Sequence, residues 1–278
     1  MSKELPFFKL EASGNDFVVV DNRRAALKDP VKFTRQVCAP HTGVGADGVL
    51  LLEKSRKQAF KMRIINSDGS EAEACGNGFR CISLFAHKKL GLPAKFEFES
   101  LSGVIQANVK GSRIRVRMAK PKDYRAEGEL SVAGNRLHYS FINTGVPHTV
   151  IFVNNLRGID VALLGRAIRY HEDFKPKGTN VNFVEIKDKH SIHVRTYERG
   201  VEQETLACGS GSTASAIISA LHGRTQAPVK VKTSGGEILT IDFKVRGKEV
   251  TEAYLEGGAR FVFEGKLCPF PEVKNNHA

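Results

Sequence analysis

Two cysteines in this chain stand in matching surroundings. Cys75 lies in "EAEACGNGFRC" and Cys208 in "TLACGSGSTAS", each followed by a glycine, a small polar residue and a second glycine. A cysteine buried as a small hydrophobe has no need of glycine on its C-terminal side. A reactive one has. At a helix start the dipole favours the thiolate, and the glycines let backbone N–H groups approach a bound anion closely. Two such starts facing each other would hold one carboxylate between them, with a sulfur on each side of its α-carbon. One thiolate then removes the α-proton, and the opposite thiol delivers a proton to the other face. The N–H donors stabilise the charge that builds on the carboxylate during the transfer. This chemistry inverts a stereocentre without a pyridoxal cofactor. A disulfide-exchange pair would stand closer in sequence, as Cys-x-x-Cys, and a single nucleophile would leave the second motif without a purpose.

The elements around the two motifs repeat as well. Twenty-eight residues separate Cys75 from Gly103 of "SGVIQANV", and twenty-eight separate Cys208 from Gly236 of "GGEILTIDF". Upstream, Gly14 of "GNDFVVVDN" precedes its cysteine by 61 residues, and Gly145 of "GVPHTVIFV" precedes the other by 63. Three agreements in the same order indicate a duplicated fold. Residues 209–221 carry no charged side chain and 76–86 carry only Arg80, so both stretches read as helices buried on all sides. The flanking segments "KFEFESLSGVIQANV", "SIHVRTYERG" and "RIRVRM" alternate as strands do. Asp29-Pro30 and Asp160 mark the starts of two peripheral helices. The predicted fold class is α/β of the α+β type. It has two pseudo-symmetric domains, each a strand-rich, mixed or antiparallel sheet wrapped around a central helix. Residues 1–119 carry Cys75 and are joined by a returning segment, 264–278, while 120–263 carry Cys208. The charged stretch "MAKPKDYRAEGE" at 118–129 reads as the linker.

Composition narrows the setting. The 278 residues are 41% hydrophobic, and no apolar run is long enough for a membrane span. The N-terminal stretch lacks the apolar core of a signal peptide, so the expected location is cytoplasmic. An odd count of five cysteines argues against a disulfide framework, and no His or Cys pair has zinc-like spacing around Cys75 and Cys81. Cys38, Cys81 and Cys268 read as core or incidental thiols. The net charge of +12 is spread over short runs such as "RR" and "KK". That pattern fits a field attracting small anions rather than a nucleic-acid surface. Asp16, Asp68 and Glu73 read as turn-shaping or helix-start charges. His41 and Asp47 flank "GVGADG", which lacks the Lys-Ser/Thr of a phosphate loop.

The blocks "FFKLEASGNDFVVVDN", "HTGVGADGVLLL", "NSDGSEAEACGNGFRC", "NTGVPHTVIFV", "GTNVNFVEI" and "YERGVEQETLACGSGSTASA" together resemble the diaminopimelate epimerase family, in the family's order and across nearly the whole chain. The resemblance implies a cofactor-independent epimerase interconverting LL- and meso-diaminopimelate, on the route to lysine and peptidoglycan, and commonly a homodimer. It implies that Cys75 and Cys208 are the paired acid and base, with Cys75 deprotonating the LL substrate. Gly76, Asn77, Gly209 and Ser210 match the positions that hold the reacting carboxylate. Asn15, Asn66, Asn180 and Arg199 match those binding the distal end, where an Arg grips a carboxylate bidentately. Glu198 matches a residue close to the reacting amine, and His148 one beside the thiols. The implied partner is a small molecule, with no metal, cofactor, nucleic acid or membrane.

Three positions depart from the family pattern. Ser210 stands where Thr is frequent, Gly48 where some members carry a substrate-contacting Gln, and Val146 where many carry an Asn reaching the distal carboxylate. A racemase of proline, hydroxyproline, histidine or glutamate is the neighbouring alternative, although proline-type relatives typically have His in place of Asn77. A non-catalytic binding module is the alternative from another class, and it would need neither cysteine.

Overall fold

Four α-helix starts organise the described residues, and in each the capping side chain accepts a backbone N–H three residues on. The computed structural model describes residues 4–132, 134–247 and 249–268. In the first half the order is β1 (Leu5–Ala12), β2 (Asn15–Asp21), α1 (Pro30–Cys38), β3 (Gly48–Glu53) and β4 (Lys61–Asn66). Then follow β5 (Glu71–Ala72), α2 (Gly76–Leu90), β6 (Lys95–Ser100), β7 (Gly103–Lys110) and β8 (Arg113–Arg117). The second half begins with β9 (Lys122–Val132) and continues with β10 (Asn135–Asn143), β11 (Pro147–Phe152), α3 (Val161–Arg169) and β12 (Asn180–Asp188). It closes with β13 (Ser191–Glu198), β14 (Gln203–Thr205), α4 (Gly209–Leu221), β15 (Val229–Lys232), β16 (Ile238–Arg246) and β17 (Glu249–Gly258). A last strand, β18 (Arg260–Leu267), follows.

The pairing repeats strand for strand. β2 runs parallel to β3, and β4 runs antiparallel to β3 and β5 but parallel to β6. In the second half β11 and β12, then β13 with β12, β14 and β15, reproduce those directions. β18 pairs antiparallel with β1 as β9 pairs with β10. The halves join where β8 and β17 pair antiparallel, from Arg117 with Tyr254 to Arg113 with Gly258. The fold is therefore the pseudo-symmetric, strand-rich arrangement that the sequence repeat predicts. Of the expected returning segment, residues 269–278 lie outside the described ones.

Residues 118–129 do not form a linker, as expected from their charge and proline. The segment enters β9 at Lys122, and only residues 118–121 connect β8 to it. Leu130 and Val132 alternate inward from β9, and the charged residues before them face water. Charge on the outer face of a strand was mistaken for connection.

Burial explains why α2 and α4 sit at the centre. In α4 the residues from Gly211 to Ser219 are all buried, and Ile217 and Ile218 are fully so. Each such side chain contributes about 1.5–3 kcal/mol relative to exposure. In α2 the buried stretch runs from Asn77 to Ala86, and His87, Lys88 and Lys89 surface in the last turn, where the two lysine cations suit the negative end of the helix dipole. Gly91 ends the helix at φ 72°. The peripheral helices start where predicted: Asp29 caps α1 through Lys32 N–H, and Asp160 caps α3 through Leu163 N–H.

Candidate active site

Both cysteines occupy N-cap positions, with φ, ψ of −149°, 110° at Cys75 and −117°, 110° at Cys208. Each sulfur accepts a hydrogen bond at 3.4 Å, Cys75 Sγ from Gly78 N–H and Cys208 Sγ from Gly211 N–H. The first glycines bring the helix starts together. A Cβ on Gly209 would lie 3.9 Å from Gly76 Cα, and Leu255 packs against both. The second glycine is required in the C-terminal motif, since a Cβ on Gly211 would meet Asn182 Oδ1 at 2.3 Å. Gly211→Ala should therefore cost about 1–3 kcal/mol of stability, read as a lowered Tm together with loss of activity.

One cavity of about 1120 Å³ receives both thiols. Its lining includes Asn15, Asn66, Gly76, Asn77, Glu198, Arg199, Gly209 and Ser210, along with Val146. Asn15 is held by acidic neighbours: its Nδ2 donates to Asp47 Oδ2 at 2.6 Å, and the Asp16 and Asp47 side chains accept each other's backbone N–H. Lys9 neutralises that pair through Asp16 at 2.6 Å. Asn15 Oδ1 is thereby aimed at Cys75 Sγ, 3.7 Å away, and at Asn77 Nδ2, 3.5 Å away. On the opposite side Ser210 Oγ lies 3.5 Å from Cys208 Sγ, and Thr144 Oγ1 donates to Ser210 O. Thr205 Oγ1 donates to Glu198 Oε2 at 2.9 Å.

Electrostatics depart from the expectation for a helix start. Burial raises both thiols above the ordinary value, and the Glu198 carboxylate adds to the effect at each. The N–H of Gly78 lowers Cys75 and the Ser210 hydroxyl and Gly211 N–H lower Cys208, but burial outweighs these donors. Burial also raises Glu198. Since the free protein holds both thiols protonated, one must lose its proton before it can act as a base. Their raised values put that loss at high pH. Thus kcat/KM should climb through the ordinary thiol value of 9.0 without levelling off, as a pH–rate profile would show.

Two predicted residues are not on the cavity wall. Asn180 is buried, with Oδ1 accepting Arg199 N–H at 2.8 Å and Nδ2 donating to Pro147 O at 2.9 Å. In this position it sets the backbone of Arg199. His148 is fully buried, its Nδ1 is 3.2 Å from Asn182 Nδ2, and its Nε2 has no hydrogen-bond partner among the described residues. Burial, followed by the Arg199 charge, lowers His148 to about 3, so the ring is neutral. Gly48 pairs with Asn66 in the sheet, and a Cβ there would meet Ile65 O at 2.7 Å. A longer residue at that position would displace the strand. The sequence reading missed Asp47 and Thr205 as supports of Asn15 and Glu198. Their only signal was proximity in chain to motif residues.

A sequence profile of diaminopimelate epimerase matches residues 7–123 and 140–262 of the chain. The diaminopimelate epimerase of Aquifex aeolicus (strain VF5) is 48% identical over 276 residues, covering 95% of this chain and 98% of that protein. The diaminopimelate epimerase of Hydrogenobaculum sp. (strain Y04AAS1) is 44% identical over 273 residues, covering 93% and 97%. Among solved structures, a probable proline racemase from Agrobacterium radiobacter K84 matches with a TM-score of 0.72, covering 97% of this chain and 94% of that one. At 13% identity that likeness is one of fold.

Proposed function

This chain belongs to the diaminopimelate epimerase family, and we infer from its site that it inverts an α-carbon of diaminopimelate, one of Cys75 and Cys208 taking the α-proton and the other delivering a solvent-exchanged proton to the opposite face. The observation that carries the reading is the pair of cysteine N-caps opening into one cavity, with abutting helix starts.

The α-carboxylate would lie between the two helix N-termini, accepting N–H bonds around Gly76–Asn77 and Gly209–Ser210. Negative charge growing there as the α-carbon loses its proton meets donors already oriented, so little reorganisation is needed. The substrate ammonium would face Glu198, which also offsets the anionic thiolate cost by drawing a cation beside it. Cys75 takes the proton of the LL isomer and Cys208 returns one to the opposite face, and the reverse reaction exchanges the roles. Asn15 orients Cys75, and Arg199 grips the distal carboxylate with Asn66 beside it. The reaction belongs to lysine and peptidoglycan precursor synthesis, a cytoplasmic setting, and the family resemblance implies a homodimer. Among the described residues no helix is long and apolar enough to cross a membrane.

The test is a reaction of reduced protein with LL-diaminopimelate in D2O. The meso product should carry one solvent deuterium at the inverted carbon. Product without deuterium, or no product from LL-diaminopimelate alongside turnover of another amino acid, would sink the reading.

A further inference from the structure

Arg80 is fully buried, one turn into α2, beneath the Cys75 cap. Its guanidinium gathers groups from both halves. Nε donates to Gly258 O at 3.0 Å, Nη1 to Gly76 O at 3.3 Å, and Nη2 to Asn77 Oδ1 at 3.0 Å and to Ser13 Oγ. From the second half Glu237 Oε2 lies 4.0 Å from Nη2. That oxygen is buried without a hydrogen-bond partner among the described residues, while Oε1 accepts Gly258 N–H at 3.0 Å. An arginine remains charged even when buried, and a buried charge is retained only where its neighbours satisfy it.

The pseudo-symmetry makes this cation informative. Five residues after Cys208 stands Thr213, whose hydroxyl merely donates to Gly209 O at 2.9 Å. The counterpart of Asn77 is Ser210, and that of Asn15, after the matching glycine, is Val146. Around Cys75 the groups thus run Glu237, Arg80, Asn77, Asn15, sulfur, and among the described residues no such line reaches Cys208. By taking Asn77 Oδ1, Arg80 leaves Asn77 Nδ2 to meet Asn15 Oδ1.

We propose that Arg80 is a positioning residue for one thiol only: it orients Asn77 and Asn15 toward Cys75 and supplies that thiol, not Cys208, with a buried positive charge tempered by Glu237. The other charges around Cys75 do not substitute for it. Glu198 on β13 is an acidic group that opposes a thiolate at Cys75. Lys9 is paired with Asp16, beside Asp47. The cations on the cavity wall are Arg117, Lys120 and Arg199, set against Glu73, Glu204 and Glu252; Lys120 is paired with Glu249 and Arg199 donates to Lys177 O. Arg80 also acts to lower Cys75 against the larger effect of burial.

The proposal rests on the two-thiol reading, but its test needs no substrate. Reduced full-length protein is treated with iodoacetamide at pH 8, and alkylation is followed separately at Cys75 and Cys208 by peptide mass spectrometry. Loss of a neighbouring cation raises a thiol by about 1–2 pH units. Each unit leaves tenfold less thiolate, partly offset by its greater nucleophilicity, so the rate falls about threefold per unit. Arg80→Gln should slow Cys75 about three- to tenfold relative to Cys208, Arg80→Lys should restore it, and Glu237→Gln should speed it. Unchanged Cys75 rates, or equal changes at both cysteines, overturn the proposal. If Arg80→Gln unfolds, exposing the buried Cys38 and Cys81 to the reagent, Glu237→Gln alone decides by the same criterion. Failure here leaves deuterium incorporation in diaminopimelate untouched, so the two readings fall separately.

Discussion

Cys75→Ala and Cys208→Ala should each lower epimerisation by about 10²–10⁴-fold, the range expected for losing a positioned acid or base. Inversion needs one group on each face of the α-carbon, so neither cysteine can serve for both. The surviving thiol still reaches one face. Each variant should therefore retain slow exchange of the α-proton with solvent in only one stereoisomer, without inversion. This residual exchange separates loss of chemistry from loss of fold. The fold itself should change little, because removing a cap costs about 1 kcal/mol and the buried faces of α2 and α4 remain. Turnover near the parent rate in either alanine variant would remove that cysteine from the mechanism. Loss of exchange in both isomers with an unchanged Tm would point to a single shared base.

Arg199→Ala should have the next largest effect, and it should act on substrate recognition. Arg199 lines the cavity with its backbone held by Asn180 and one guanidinium nitrogen donating to Lys177 O. Burial and the nearby Arg169 lower it, a strain that an incoming carboxylate would relieve. A hydrogen bond to a charged group contributes about 1.5–3 kcal/mol, so kcat/KM for diaminopimelate should fall about 10- to 150-fold. The loss should appear mainly in KM, since the distal carboxylate is bound alike before and during proton transfer. Val146→Asn should preserve turnover and either tighten the substrate or change little, because Arg199 already supplies the charge. Suppose Arg199→Ala leaves diaminopimelate kinetics unchanged while an amino acid lacking a distal carboxylate is turned over efficiently. The named substrate would then fail, and only the two-thiol reaction would stand.

Local sequence carried much of this organisation. The caps at Asp29 and Asp160 were legible because an acidic residue three positions before an N–H is a short-range device. The same holds for the thiols, whose glycines declare a helix start with close neighbours. The central helices were legible from their lack of charge, which only complete burial explains. By contrast, the mistaken linker at 118–129 shows where pattern reading fails. A solvent-facing strand and a connector carry similar residues, and only the partner strand β10 distinguishes them.

The sequence by itself determined that the chain is built twice, that each copy is led by a capping cysteine, and which family it joins, because repeats, caps and motifs are written in neighbouring residues. Only the tertiary structure decided how the site is charged and supported. Burial of the thiols outweighs their helix starts, since desolvation depends on atoms from every surrounding strand. Asn180 supports Arg199 from behind, and His148 is neutral and enclosed, because β11 and β12 bring them under the wall. Arg80 of the first half meets Gly258 and Glu237 of the second only after β8 and β17 pair. The Arg80 contacts join residues more than a hundred positions apart, and no local pattern encodes a distance that the folded chain alone creates.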